Sequence, residues 1–300
     1  MPSIIAGALC LVAAEGMLAL MSVSIKAVGA VDLGEAGLPN EIIVFCRSLV
    51  GCLLLIPLLL QRNQHGLTIS LSYLKTSVAS LHLFRALIGL CGMYCYFYAL
   101  TQLPLAEGMV LKMTSPIFMP LIAFIWLNDQ PTRYSLLAIP VGFVGMWLIV
   151  VPSAGQVFAT IHPAALIGLT GGIAAAGAKV LVAKLGQTEP TGRIVAYFFV
   201  LATGLSAIPA WLVWQTPTWQ QAMLLIAVGI CATAGQLLLT RAYSLAAVSR
   251  IAPLTYTSVI FGVMLGWLIW DETVTLRWLA GSLLIIAAGL VTLYQRRNRV

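Results

Sequence analysis

Ten stretches of this 300-residue chain stay apolar for long enough to cross a lipid bilayer, and that leaves few ways for it to fold. They run roughly over 4–26, 40–60, 76–100, 105–127, 134–152, 163–183, 192–214, 219–241, 249–270 and 277–294, separated by charged, polar or proline-containing joints. In hydrocarbon every backbone N–H and C=O must find its partner inside the protein, so runs of this length read as helices. The expected fold is all-α integral membrane, with ten transmembrane helices and joints too short to hold a soluble domain. A soluble alternative would have to hide nearly every run in one core. With 61% hydrophobic and 8% charged residues, and a mean hydropathy of +1.00, a chain of this size cannot do so.

The placement of charge supports the count. With ten spans both termini share a side, and the tail Arg296, Arg297 and Arg299 assigns that side to the cytoplasm. Arg62, Lys75, Arg133, Lys184, Arg193, Arg241 and Arg250 then fall on the same side. Only Lys26 and Arg277 face the other way, a split of ten to two that any other number of spans would spoil. The net charge of +7 therefore reads as a topology signal and not as a nucleic-acid surface. The expected location is a bacterial inner membrane. The first run lacks a basic leader and a cleavage site, so it is expected to be a retained span.

The chain also repeats. Thr114–Asp129 (TSPIFMPLIAFIWLND) resembles Tyr256–Asp271 (YTSVIFGVMLGWLIWD) 142 residues later, and Arg133-Tyr134 and Gly145 match Arg277-Trp278 and Gly289 at an offset of 144. Two units of five spans follow, 4–152 and 163–294. Because five is odd, the second starts on the opposite face and the repeat is inverted, an arrangement typical of secondary transporters with a site near midplane.

At the third to fifth spans, the stretch Arg85–Asp129 (RALIGLCGMYCYFYALTQLPLAEGMVLKMTSPIFMPLIAFIWLND) resembles the core of the drug/metabolite transporter superfamily, in its EamA-type ten-helix branch. The second half resembles the same unit over Arg241–Glu272. Gly89–Pro104 is most similar to the branch of S-adenosylmethionine uptake carriers. One departure is Asn128-Asp129, where the family usually has Gly-Glu. The resemblance implies a carrier of a small polar metabolite, with S-adenosylmethionine, amino acids or related amino compounds as candidates and export of drug-like organic cations as the alternative. It implies proton or exchange coupling, no cofactor, and a monomer or weak homodimer whose partners are the substrate and the bilayer.

Candidate site residues are those that sit at depth against their chemistry. Glu15 has eleven residues of the first run before it and ten after, so at about 1.5 Å rise per residue it lies near the middle of a core about 30 Å thick. A carboxylate there is costly and usually functional when it persists, binding protons or a cationic substrate group. It also resembles, loosely, the membrane glutamate of the small multidrug resistance carriers. Tyr94 and Tyr98 lie one turn apart and could stack a ring or hold a cation, although aromatic belts near span ends are ordinary. Lys112 either faces the cavity or snorkels outward. Thr114 and Ser115 are placed to satisfy carbonyls freed by Pro116 and Pro120. Lys179 lies five residues from Lys184, which favours snorkelling. Gln236, with Thr233 and Thr240, forms a polar stripe at helical spacing, and Tyr256 occupies the ninth run. Arg47 and Arg85 fall nearer the ends of their runs, each deep enough to want a partner, with Glu41 and His82 as neighbours.

Enzyme signatures are missing from the sequence. There is no HExxH, P-loop or GxSxG, and His65, His82 and His162 are scattered without metal-ligand spacing. The six cysteines lie in apolar runs without a CxxC pair. Neither a metal nor catalysis is expected. A channel would show charged rings or filter motifs, and neither is visible.

Overall fold

A computed structural model describes residues 2–29, 37–56, 60–63, 66–69, 75–102, 114–131, 133–150, 163–270 and 276–294. Ten helices follow in order among them. The first repeat holds α1 (Pro2–Gly29), α2 (Asn40–Leu54), α3 (Ala79–Gln102), α4 (Ser115–Leu127) and α5 (Arg133–Val150). The second holds α6 (Pro163–Leu185), α7 (Thr191–Leu212), α8 (Trp219–Leu245), a broken α9, and α10 (Leu276–Tyr294). Helix α9 starts as one turn, Val248–Ile251, tightens to a 3-10 segment at Ala252–Tyr256, and resumes as Thr257–Trp270. Pro253 at the start of the 3-10 segment accounts for the break, since its ring cannot continue the helical ladder. Helices α1, α3, α6, α7, α8 and α9 are each long and apolar enough to cross a membrane; α4, α5 and α10 carry shorter apolar stretches.

The second run differs from its expected bounds. Helix α2 stops at Leu54, not near residue 60, and an antiparallel hairpin of β1 (Leu60–Asn63) and β2 (Gly66–Ile69) follows. Among the described residues the regular structure is thus helical apart from this small hairpin.

Packing follows the repeat. Helix α1 packs on α8 as α6 packs on α3; α1 packs on α9 as α6 packs on α4; α2 packs on α8 as α7 packs on α3. The remaining major pairs, α2 with α7 and α5 with α10, join equivalent helices of the two halves. Exchanging the halves therefore leaves the set of partners unchanged, which is what an approximate twofold axis requires. The outer surface is apolar, with Leu9, Ile125, Leu137, Ile208, Leu268 and Leu283 exposed, as a lipid-facing surface must be.

Local chemistry fixes the helix ends. Asn128 closes α4 in the left-handed conformation (φ 53°, ψ 29°), and the N–H of Asp129 donates back to the carbonyl of Ala123 at 3.3 Å. Glycine is the usual residue at such a cap and asparagine the next best, so the departure from Gly-Glu preserves the backbone. Asp129 Oδ2 then accepts the N–H of Ser249 at 3.1 Å, so the acid that ends α4 caps the start of α9 in the other half. Helix α8 begins with a capping box between Thr218 and Gln221. Before α7, Glu189 accepts from Thr76 Oγ1 and from Arg193 Nη1, both at 2.6 Å, and so ties the second half to the segment that leads into α3.

Candidate functional site

Two buried polar groups occupy the interior, joined by one face of α8. The first lies among α1, α2, α3, α7 and α8. Arg47 is 2% exposed and Arg85 4% exposed. Arg47 sends Nε to Met21 Sδ at 3.4 Å and Nη1 to Met93 Sδ at 2.9 Å. Arg85 donates from Nη2 to Gln236 Oε1 at 3.0 Å, while its Nε and Nη1 are buried without a hydrogen-bond partner. Both guanidiniums face Phe198, with central carbons 3.5 Å (Arg85) and 5.9 Å (Arg47) from the ring centroid. Beside them the buried hydroxyl of Tyr94 makes no hydrogen bond, and His82 stacks on Tyr197 at 4.3 Å between centroids.

Sequence symmetry shows how this arrangement arose. Helices α2 and α7 both begin after a proline cap, Pro39 and Pro190, and the eighth residue beyond is Arg47 in one and Phe198 in the other. The pseudo-twofold thus brings a cation against an aromatic ring at equivalent positions.

The second group centres on Glu15, which is 1% exposed on α1. The Tyr243 hydroxyl lies in the field of Glu15 and beside Thr255, and reaches Met119 Sδ at 4.0 Å. Gln236, Thr240 and Tyr243 recur at i, i+4 and i+7, so they share one face of α8 and span about 10 Å along it. A polar file thereby lines α8 from Gln236, which is bonded to Arg85, through Thr240 to Tyr243, which lies in the field of Glu15. A cavity of 410 Å³ opens beside Asp129, Gly186 and Ala247 and reaches Tyr243.

The structure sorts the remaining sequence candidates. Tyr94 packs on the same apolar cluster as Phe198, whereas Tyr98 is 44% exposed. Tyr256 is fully buried, but its ring packs on Gly142 of α5 with its hydroxyl unbonded. Ser115 is buried at the first turn of α4 and its hydroxyl bonds to nothing, so it does not satisfy a freed carbonyl. Thr114 is the cap residue of α4 without a side-chain capping bond. Lys179 is half-buried in α6, and Lys184 beyond it is exposed. Lys112 lies outside the described residues. No cluster of three metal-ligating residues occurs among those described.

Sequence reasoning noticed Arg47 and Arg85 but did not select them, and it passed over Tyr243. The signal for Arg47 was hidden by the assumed span of 40–60, which put it towards one end; in the true helix, Asn40–Leu54, it is the central residue.

Comparison with known proteins gives a consistent setting. The profile of the EamA-like transporter family matches the chain twice, over residues 5–151 and 162–294. A pseudopaline exporter of Pseudomonas aeruginosa is 34% identical over 256 residues, covering 85% of this chain and 86% of that one. A riboflavin transporter of Brucella anthropi is 28% identical, covering 87% and 90%. An S-adenosylmethionine uptake transporter of Rickettsia bellii is 25% identical, covering 85% and 84%. One solved crystal structure superposes with a TM-score of 0.77 at 16% identity, covering 99% of both chains, a likeness of fold.

Proposed function

Because the chain belongs to the EamA-like transporter family, we propose that it is a secondary active transporter carrying a small polar metabolite by alternating access, driven by protons or by exchange. The observation that carries this reading is the bond from Arg85 in α3 to Gln236 in α8. It crosses from one repeat to the other in the buried interior, where rocking of the halves would make and break contacts. No nucleotide-binding motif is present in the sequence to supply a different source of energy.

The relatives named above are an exporter of one metabolite and carriers of two others, so the family setting leaves the substrate to the site itself. Within the described helices two buried cations, Arg47 and Arg85, accompany one buried acid, Glu15; the other buried acid, Glu189, lies in the joint before α7 and is paired with Arg193. That balance disfavours the drug-like organic cations and supports a metabolite with a carboxylate, such as the amino compounds considered from sequence. Glu15 would bind protons or the amino group. The cavity beside Asp129 and Tyr243 would open to the cytoplasm, the side to which the distribution of basic residues assigns both termini.

Counterflow in proteoliposomes tests the reading. Vesicles preloaded with unlabelled S-adenosylmethionine or amino acids should accumulate the labelled compound transiently and saturably. Linear, non-saturating flux would make the protein a channel, and flux absent for every amino compound would remove this substrate class.

A further inference from the structure

Arg47 and Arg85 pose a chemical question that the fold does not answer. Both guanidiniums are buried, and among the described residues neither has a carboxylate within ion-pair distance. Arg47 rests on two thioether sulfurs, which are weak acceptors, and Arg85 leaves two of its three nitrogens without a partner. The two cations also repel one another. A buried charge is tolerated when a counter-charge and hydrogen bonds complete it, and here, among the described residues, the counter-charge is missing and the hydrogen bonds are incomplete beside one ring.

Phe198 holds the pair in a form suited to an anion. Stacked on the ring face, a guanidinium keeps its N–H edge free, and that edge matches the two oxygens of a carboxylate. Met21 and Met93 are flexible and can withdraw from Arg47 when a stronger acceptor arrives. Gln236 fixes Arg85 from the opposite repeat, so an anion bound there would be sensed by both halves.

We propose that Arg47 and Arg85 together form the receptor for a carboxylate of the transported metabolite, an inference that rests on the reading of the chain as a carrier. The substrate class is a small organic acid or amino acid, held by its carboxylate between α2, α3 and α7 beside Phe198 and Tyr94.

The test is thermal unfolding of the purified full-length protein in detergent, with sodium succinate, sodium phosphate or neutral succinamide added and ionic strength held constant with chloride. Succinate should raise the wild-type Tm by about 3 °C over chloride, with smaller shifts from phosphate and succinamide. Arg47→Met and Arg85→Met should melt no lower than wild type in chloride, because each removes an unpaired buried charge, and should lose the succinate shift. Should a methionine variant not fold, Arg47→Lys and Arg85→Lys keep the charge but lose the fork, and should lose at least half the shift. No succinate-specific shift in wild type, a larger shift with phosphate, or a shift retained in the variants overturns the proposal. Counterflow run in parallel separates the two readings: carboxylate binding without flux refutes the carrier, while flux indifferent to both arginines refutes the receptor.

Discussion

Arg85 lies over Phe198 with its central carbon 3.5 Å from the ring centroid, and Phe198 is the residue that α7 places where α2 has Arg47. The repeat thus keeps its backbone symmetry and breaks its chemistry at one pair of equivalent positions. The consequence is measurable by a double-mutant cycle. Phe198→Leu and Arg85→Met should each change stability, and the pair should couple by about 2 kcal/mol, the size of a desolvated cation–π contact. Additive effects in chemical unfolding would mean that the ring only fills space.

At Gly145, α5 comes close to the backbone of α10. A Cβ there would stand 2.7 Å from the carbonyl oxygen of Gly281 and 3.0 Å from Leu284 Cβ, and backbone cannot move aside as a side chain can. Gly145→Ala should therefore destabilise the protein by about 1–3 kcal/mol. Gly204→Ala is the control, since nothing lies within 4 Å of its Cβ position. It should be neutral or stabilising by up to about 1 kcal/mol through helix propensity. Thermal unfolding of the two variants side by side reads the difference, and equal Tm values would contradict it.

Much of this arrangement was legible in the sequence. Hydrophobic length located the spans, because hydrocarbon permits only helices, and the Asp, Arg-aromatic and Gly coincidences located the repeat. Glu15 was legible because an acid in the middle of an apolar run is conspicuous from composition alone. Arg47 was not, since its depth depends on where α2 ends, and the apolar run continues in sequence past Leu54, where α2 stops. Tyr243 was hidden for another reason. A tyrosine near a span end looks like an interface anchor until the packing of α8 on α1 brings it into the field of Glu15. Tertiary contacts of this kind, between residues far apart in sequence, have no local signature.

The tie at Glu189 predicts a pH dependence of stability. Burial works against its charge, but hydrogen bonds from Thr76 and Arg193, together with the charge of Arg193, outweigh it and hold the carboxyl below the ordinary glutamate range. A folded-state value below the unfolded one contributes stability at pH above the unfolded range, near 4.3, and the contribution disappears as pH falls through the folded value. Glu189→Gln should therefore melt lower than wild type at pH 7, by the equivalent of about 1 kcal/mol, and the two curves should converge towards pH 4 and below. A gap that stays constant with pH would assign the loss to shape instead of charge.

The ten-to-two split of basic residues predicts that both termini are cytoplasmic. A single cysteine appended after Val300, in a background with the six native cysteines replaced, should resist an impermeant maleimide added to intact cells and react once the membrane is opened. Labelling from outside would invert the topology and place the cavity beside Asp129 on the outer face.

Glu15 carries the last expectation. It sits in the middle of α1, buried against α8, with the Tyr243 hydroxyl in its field and a cavity that reaches Tyr243 from one end of the bundle. A proton entering by that cavity would meet Tyr243 first and Glu15 next, while the polar file along α8 leads on to Gln236 and Arg85. Protonation of the acid would then change the charge facing the substrate chamber without any covalent step, which is all that coupling requires. Glu15→Gln keeps the shape and removes the titrating group. The variant should insert, fold and bind substrate, yet transport without responding to an imposed proton gradient, so that its rate is flat across pH where the wild-type rate is not. The measurement is flux in proteoliposomes at a series of internal and external pH values. A variant that follows the wild-type pH curve would remove Glu15 from the coupling and leave it as a hydrogen-bonding residue between helices.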